Sequence, residues 1–192
     1  NSYMFIIKNN YYLYIENTKN VNFNYLKNCK KISIIYRNNS IPENITDLTY
    51  LREKCKKKNI KFYVANNLKL AKKCRADGMY ISAYNKKNYT FKNLSLIGSA
   101  HSFKEINEKI KQGCKTIFLS RIFKTSYKDK KGHLGPIKFN LMINKFRITL
   151  VPLGGIKNAN LNKLNLVNSS GLALLSEIKK KPAISNRLFW MF

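Results

Sequence analysis

Short runs of β-branched and aromatic residues alternate along this chain with stretches in which apolar side chains recur every three or four positions. The first pattern suits strands covered on both faces, and the second suits helices with one buried stripe. Strands are predicted at Tyr11–Ile15, Ile32–Tyr36, Lys61–Ala65, Gly78–Ser82, Leu94–Gly98, Thr116–Ser120, Ile148–Leu153 and Gly171–Leu175. Helices are predicted at Phe23–Lys30, from Pro42 to about Lys58 with Ser40 or a neighbour as N-cap, and at Leu68–Arg75. Further helices are predicted from Ser102 to near Gly113, at Ile137–Lys145, at Asn158–Asn165 and near Ser176–Lys181. Proline favours a first helical turn. Ser102 with Glu105 three residues on has the spacing of a capping box, and Gly113 supplies a stop. A polar loop, Lys124 to Leu134, separates the sixth strand from its helix.

About eight strand–helix units in one chain predict a compact (β/α)8 TIM barrel with parallel strands, as a single domain over residues 1–192. An open doubly wound sheet alternates in the same way. The count of units and the lack of a G-x-G-x-x-G loop favour the closed barrel. A chain of 192 residues is long enough to bury a core.

Composition adds constraints. The hydrophobic share of 44% and charged share of 24% are those of an ordinary globular protein. No apolar run reaches the roughly 18 residues of a membrane span, and Tyr3–Ile7 is too short for a signal peptide, so a cytoplasmic protein is expected. The chain begins at Asn1 and not at Met, which leads to the expectation that some N-terminal residues precede it. Cys29, Cys55, Cys74 and Cys114 form no C-x-x-C pair and are read as reduced, buried or half-buried thiols. The formal charge of +28 is spread along the chain rather than gathered in one arm. It accompanies an excess of Asn, Ile and Tyr, which share AT-rich codons with Lys. A nucleic-acid partner is therefore not expected, although the charge would attract phosphorylated small molecules. The apolar end Leu188–Phe192 is expected to pack on the barrel or on a partner chain, which leaves a homo-oligomer open.

The second half carries an ordered set of short strings. They are Ala76–Tyr80, then Ile97-Gly98-Ser99-Ala100-His101-Ser102, Ile122–Lys128, Leu153-Gly154-Gly155-Ile156 and Gly171–Ser176. Together they resemble the thiamine phosphate synthase/TenI family, whose strings are A-D-G-V-H, S-A-H-S, V-F-P-T-x-T-K, A-I-G-G-I and G-V-A-V-I-S. Each string is weak alone; in order and on a matching βα pattern they are specific. The resemblance implies a site for a hydroxyethylthiazole phosphate. Its phosphate would sit on Gly154, Gly155, Leu175 and Ser176, where glycines allow close approach and a short final helix offers free N–H groups. Ser99, Thr125 and Lys128 would contact the ligand, Lys128 by pairing with a carboxylate or phosphate. Tyr127 and Tyr80 stand where the family has Thr and His.

The first half departs from the pattern. The family's Q-x-R-x-K string falls on Ile35, Arg37 and Asn39, so Arg37 alone remains to bind an anionic substrate. The family's metal carboxylates fall on Asn66 and Asn85, and Mg²⁺ prefers charged oxygens. Leu51-Arg52-Glu53-Lys54 looks like the missing basic motif, but is read as a solvated helix face. The TenI branch needs no metal and moves a proton on the thiazole phosphate carboxylate. His101 matches its acid/base residue, and an imidazole suits that role near neutral pH. His133, in a Lys- and Gly-rich loop, is expected in solvent. The leading expectation is thus a thiazole tautomerase with no cofactor. The alternatives are a divergent synthase that joins thiazole phosphate to pyrimidine diphosphate with Mg²⁺, and a non-catalytic barrel that binds a phosphorylated ligand.

Overall fold

The computed structural model describes residues 8–21, 23–26, 31–38, 44–89, 93–125 and 132–174. Eight strands close into a barrel in chain order, every neighbouring pair parallel, as the pattern predicts. They are β1 (Asn10–Ile15), β2 (Ile32–Tyr36), β3 (Lys61–Ala65), β4 (Gly78–Ile81), β5 (Ser95–Ala100), β6 (Thr116–Ser120), β7 (Thr149–Leu153) and β8 (Gly171–Leu174). The helices are α1 (Ile45–Lys57), α2 (Leu68–Lys73), α3 (Phe103–Lys111) and α4 (Gly135–Lys145).

Alternation along each strand separates two cores. Outward residues such as Ile34, Phe62, Met79 and Ile117 pack under the helices with Leu48, Ala71, Ile106 and Phe139. Inward residues form the barrel interior: Tyr12, Tyr14, Ile35, Tyr63, Tyr80, Ile97, Phe118, Val151, Leu153 and Ala173. Barrels usually fill this space with branched aliphatic layers. Here aromatic rings fill it, and small residues opposite make room. A Cβ on Gly78 would lie 2.6 Å from the Tyr63 ring, and one on Gly171 would lie 3.4 Å from the Tyr12 ring. Tyr80 stacks on Phe118 with centroids 5.9 Å apart, and Tyr14 meets Tyr80 edge-on at 5.4 Å.

Several boundaries differ from expectation for local reasons. Helix α1 starts at Ile45, not Pro42, because the Asn44 side chain accepts from Thr46 N and caps it there. Ser40 and Pro42 lie outside the described residues. The predicted helix at Phe23–Lys30 is a 3₁₀ turn over Phe23–Leu26, and the rest lies outside the described residues. Residues Asn158–Leu166 are 3₁₀ rather than α-helical. Asparagine competes with the helical backbone, and Leu161, Leu164 and Val167 are buried at a spacing of three, the 3₁₀ repeat. Strand β5 runs two residues past Gly98, to Ala100.

Arg52 is not on a solvated face. Its Nη2 pairs with Asp77 Oδ1 at 3.1 Å and its Nε donates to Arg75 O at 2.9 Å. Asp77 Oδ2 accepts from Phe62 N at 2.8 Å, so this pair ties α1 to the start of β4 and to β3. Cys55, Cys74 and Cys114 are buried free thiols, as expected; Cys29 lies outside the described residues. Among the described residues, no helix is long and apolar enough to cross a membrane.

Candidate functional site

Parallel strands put every strand's carboxyl end at one rim, which is where barrel enzymes build their sites. Arg37 follows β2, His101 follows β5, and Gly154 follows β7, so chain direction alone gathers them at this mouth. Beneath them lies a polar floor set on the aromatic interior. Tyr80 OH donates to Ser99 Oγ at 2.8 Å, and Ala83 N donates to the same oxygen at 3.0 Å. Ser99 is therefore buried and oriented, with its own hydroxyl proton still to donate. The Tyr14 hydroxyl is buried beside Tyr80 without a well-formed hydrogen bond among the described residues. Burial pushes both phenols up, Tyr14 well above its ordinary value, and the nearby Arg37 charge opposes this. Both remain protonated donors at neutral pH. The Arg37 Nε is buried and has no acceptor among the described residues.

The loops after β3 and β4 form one wall. Asn66 adopts φ +55°, a conformation Asn tolerates better than most residues. Its Oδ1 accepts from Ser82 N, Ser82 Oγ and Asn85 Nδ2, each at 3.0 Å. Its Nδ2 donates to the hydroxyl of the exposed Tyr84 at 3.1 Å. Asn85 Nδ2 also donates to Tyr89 OH at 2.9 Å, and Asn85 Oδ1 accepts from Lys87 N at 3.0 Å. These two asparagines stand where the family's metal carboxylates fall. They are neutral, they bond to each other, and their oxygens already face donors. This donor set does not fit Mg²⁺, which favours anionic oxygen ligands. Among the described residues, no group of three or more His, Cys, Asp or Glu could hold a metal ion.

The adjoining wall, from β5 to β7, is organised by Ser120, at the end of β6. The His101 ring places Nδ1 3.3 Å from Ser120 O. A carbonyl can only accept, so Nδ1 carries a proton, and in the neutral ring the lone pair lies on Nε2. The His101 backbone is fixed as well, since its N–H donates to Glu105 Oε2 at 2.6 Å. Ser102 caps α3 through Glu105 N at 3.3 Å. Glu105 thus reaches back to His101 N, one residue beyond the Ser102 N–H of a reciprocal capping box. On the other side of Ser120 sits Gly154, where an added Cβ would lie 3.0 Å from Ser120 Oγ.

Gly154 and Gly155 have φ of +90° and +73°. Gly154 O accepts from Phe123 N at 3.2 Å, and Asn160 Nδ2 holds Gly155 O at 2.8 Å. The N–H of the 154–155 peptide therefore points away from Phe123. A Cβ on Gly155 would meet Phe123 O at 2.2 Å, so the glycine pair also serves close packing between the β6 and β7 loops. The Thr125 hydroxyl is buried without a partner among the described residues. His133 is exposed, as expected. Lys128, Leu175 and Ser176 lie outside the described residues, as do Tyr127 and Asn39.

The structure thus brings Arg37, Ser99, His101, Gly154 and Gly155 to one rim. Sequence reading missed Ser120, Asn160 and Lys109. Ser120 and Asn160 act through position between two loops, and no residue type announces that. Lys109 looks like one more helix-face lysine, yet it is fully buried.

Comparison with known proteins agrees with this fold and with the family resemblance. The family model described as thiamine monophosphate synthase matches residues 25–178. A thiamine-phosphate synthase from Prochlorococcus marinus subsp. pastoris is 29% identical over 139 residues, which cover 70% of this chain and 40% of that protein. A thiamine-phosphate synthase from Dictyoglomus turgidum is 27% identical over 161 residues, covering 79% of this chain and 71% of that protein. The chain spans about two fifths of the length of the Prochlorococcus relatives it matches. A thiamine phosphate pyrophosphorylase structure from Pyrococcus furiosus superposes with a TM-score of 0.70 at 17% identity, over 93% of this chain and 92% of that one. The ordered strings, the closed barrel and a family match over most of its length place the chain in the thiamine phosphate synthase/TenI family.

Proposed function

We propose that this barrel is a TenI-type isomerase that moves a proton on a thiazole phosphate carboxylate without a metal ion. The observation that carries the reading is the contrast between the two walls of the mouth. One carries a mutually bonded amide pair where the family's metal carboxylates fall, while the other holds His101 Nδ1 on Ser120 O, with no Nε2 partner among the described residues. In this reading His101 Nε2 takes a proton from the substrate and returns it at another ring position. Arg37, whose buried Nε has no acceptor among the described residues, balances the charge of the anionic ligand. Ser99 and Thr125 donate hydrogen bonds to the ligand. The Gly155 N–H, turned away from Phe123, is a phosphate donor in this reading. Leu175 and Ser176 as further phosphate ligands, and Lys128 as the partner of a carboxylate or phosphate, follow from the family resemblance and lie outside the described residues. The reading places the chain in the cytoplasm, where its thiols stay reduced.

The test is thermal stabilisation by thiazole phosphate carboxylate and by pyrimidine diphosphate, each with and without Mg²⁺, followed by NMR of proton exchange on the thiazole. Stabilisation and exchange with the thiazole compound alone, in chelator, with exchange lost in His101→Ala, is the expected result. His101→Ala lowers the exchange rate by roughly 10²–10⁴-fold, the usual contribution of a positioned acid/base. The names of the relatives favour a second reading, a divergent synthase that handles the diphosphate with Arg37 and lysines. A Mg²⁺-dependent shift with the diphosphate selects it. Tight binding of the thiazole compound with no exchange selects a non-catalytic binding barrel.

A further inference from the structure

The wall made by the β3 and β4 loops is tied by a hydrogen-bond network that has a direction. The Asn66 amide oxygen is the common acceptor, and Ser82 N, Ser82 Oγ and Asn85 Nδ2 converge on it. From behind, α3 stakes the same loop. Lys109 is fully buried, and its Nζ donates to Asn85 O at 2.7 Å and to Gln112 Oε1 at 2.8 Å. Gln112 Nε2 donates to Asn85 O at 3.1 Å and to Lys87 O at 2.8 Å. Room for the lysine stem comes from Gly98, where a Cβ would lie 3.0 Å from Lys109 Cδ and 2.9 Å from Cys114 Sγ. Next in the chain, Lys86 is paired with Glu108 of α3. No carboxylate faces the Lys109 ammonium at hydrogen-bond distance among the described residues; its partners are oxygens of neutral groups.

We propose that the Asn66–Asn85 amide pair, staked by Lys109 and Gln112, is a built-in cross-link that spans the two loops in place of a divalent cation and keeps cations out of this wall. The side-chain oxygens of both asparagines and the Asn85 carbonyl already face donors. Asn66 Oδ1 faces three donors, Asn85 Oδ1 faces Lys87 N, and Asn85 O faces the Lys109 ammonium and the Gln112 amide. A cation would have to displace these donors and sit near a buried positive charge that cannot move away. The lock also has a structural output. It fixes the segment that carries Ala83, whose N–H orients Ser99 on the floor of the mouth. Lys109 and Gln112 are thus positioning residues, acting on Ser99 through the loop.

The direction of the network supplies a sharp test by NMR on the intact chain. Asn66→Asp keeps an acceptor at Oδ1 and retains all three converging bonds. Asn85→Asp is equal in size, but it removes the Nδ2 donor and sets a carboxylate oxygen against Asn66 Oδ1. Amide hydrogen exchange across residues 82–87 is expected to stay close to wild type in Asn66→Asp and to rise about tenfold or more in Asn85→Asp, which sets a repulsion in place of the bond to Asn66 Oδ1 and removes the donor to Tyr89 OH. Equal effects from the two variants overturn the lock. Gln112→Leu loosens the same segment and leaves β7 amides unchanged, and uniform loosening overturns the stake. Mn²⁺ is the probe for exclusion, and its first titration needs no variant to fold. Selective paramagnetic broadening of amides 65–67 and 82–87 in wild type overturns the proposal; none is expected. The double variant Asn66→Asp, Asn85→Asp is expected to gain that broadening, and failure to gain it overturns the claim that the amides exclude the ion. The inference rests on the metal-independent reading but can fail separately. A wild type that neither binds Mn²⁺ here nor exchanges thiazole protons rejects the isomerase and keeps the lock.

Discussion

Single residues show where a readable motif carries more than one burden. Gly154-Gly155 is legible in the sequence as a tight turn, which the proposed function takes as a phosphate site, and the structure adds a packing constraint that no motif contains. Gly155→Ala places a Cβ 2.2 Å from Phe123 O at φ +73°. It is expected to cost roughly 3 kcal/mol or more, read by urea unfolding, with ligand affinity falling as the β6 and β7 loops part. Gly132→Ala and Gly135→Ala share the positive φ but meet nothing within 4 Å, so each is expected to cost only about 1 kcal/mol. Equal costs at Gly155 and Gly135 would show that backbone strain, not the contact with Phe123, decides. The thiols make a second case. Burial pushes Cys55 up to about 12 and Cys114 up to about 11. A thiol raised in the folded state contributes stability below its unfolded value near 9, and that stability is lost as pH climbs toward the folded value. Between about pH 9 and 11 the unfolding free energy should therefore fall with pH, and less steeply in Cys114→Ala. At neutral pH, alkylation followed by mass spectrometry should leave Cys55, Cys74 and Cys114 unmodified until the protein unfolds.

At the scale of elements, the alternation of apolar runs was enough to locate the strands, because a strand buried on both faces leaves an unmistakable run of β-branched and aromatic residues. Tyr11–Ile15, Ile32–Tyr36 and Thr116–Ser120 are such cases. Helix starts were less legible, since the deciding event is one side-chain bond. Asn44 captures Thr46 N and sets the start of α1 at Ile45, three residues after the proline from which the sequence predicts it. Helix type was less legible still: Leu161, Leu164 and Val167 give a spacing compatible with either an α-helix or a 3₁₀ turn, and the asparagines tip it to the tighter form. Helix α3 joins element to site. Ser102 caps it, Glu105 returns to His101 N, and Lys109 reaches the β4 loop from its far side. Ser102→Ala should cost about 1 kcal/mol. Glu105→Ala removes the acceptor for His101 N and should lower the proton-exchange rate with little change in thiazole affinity. An equal loss of affinity would mean that Glu105 supports the binding wall and not the base.

The whole molecule carries a charge imbalance that its fold does little to neutralise. Against 37 basic residues stand nine acidic ones. Several of those carboxylates have local work: Asp77 holds Arg52 and Phe62 N, Glu108 holds Lys86, and Glu105 holds His101 N. Compaction therefore brings lysines together without partners, and self-repulsion opposes folding. The aromatic barrel interior and the helix-covered outer core must offset that cost. Added salt shortens the Debye length from about 20 Å at ~20 mM to under 5 Å at ~0.5 M, which screens repulsion between exposed lysines. It leaves the Arg52–Asp77 pair less affected, because that pair is partly buried. The melting temperature should thus rise with NaCl, by roughly 2–4 °C for each kcal/mol of relieved repulsion in a domain of this size. Arg52→Met should lower the melting temperature by a similar amount at low and high salt, since its role is a local tie between α1, β3 and β4. A melting temperature that falls with NaCl would mean that attractive pairs outweigh the lysine excess. The same charge draws anions to the barrel, so thiazole phosphate should associate more slowly as salt rises while its dissociation rate stays nearly constant. Salt should therefore move stability and ligand association in opposite directions.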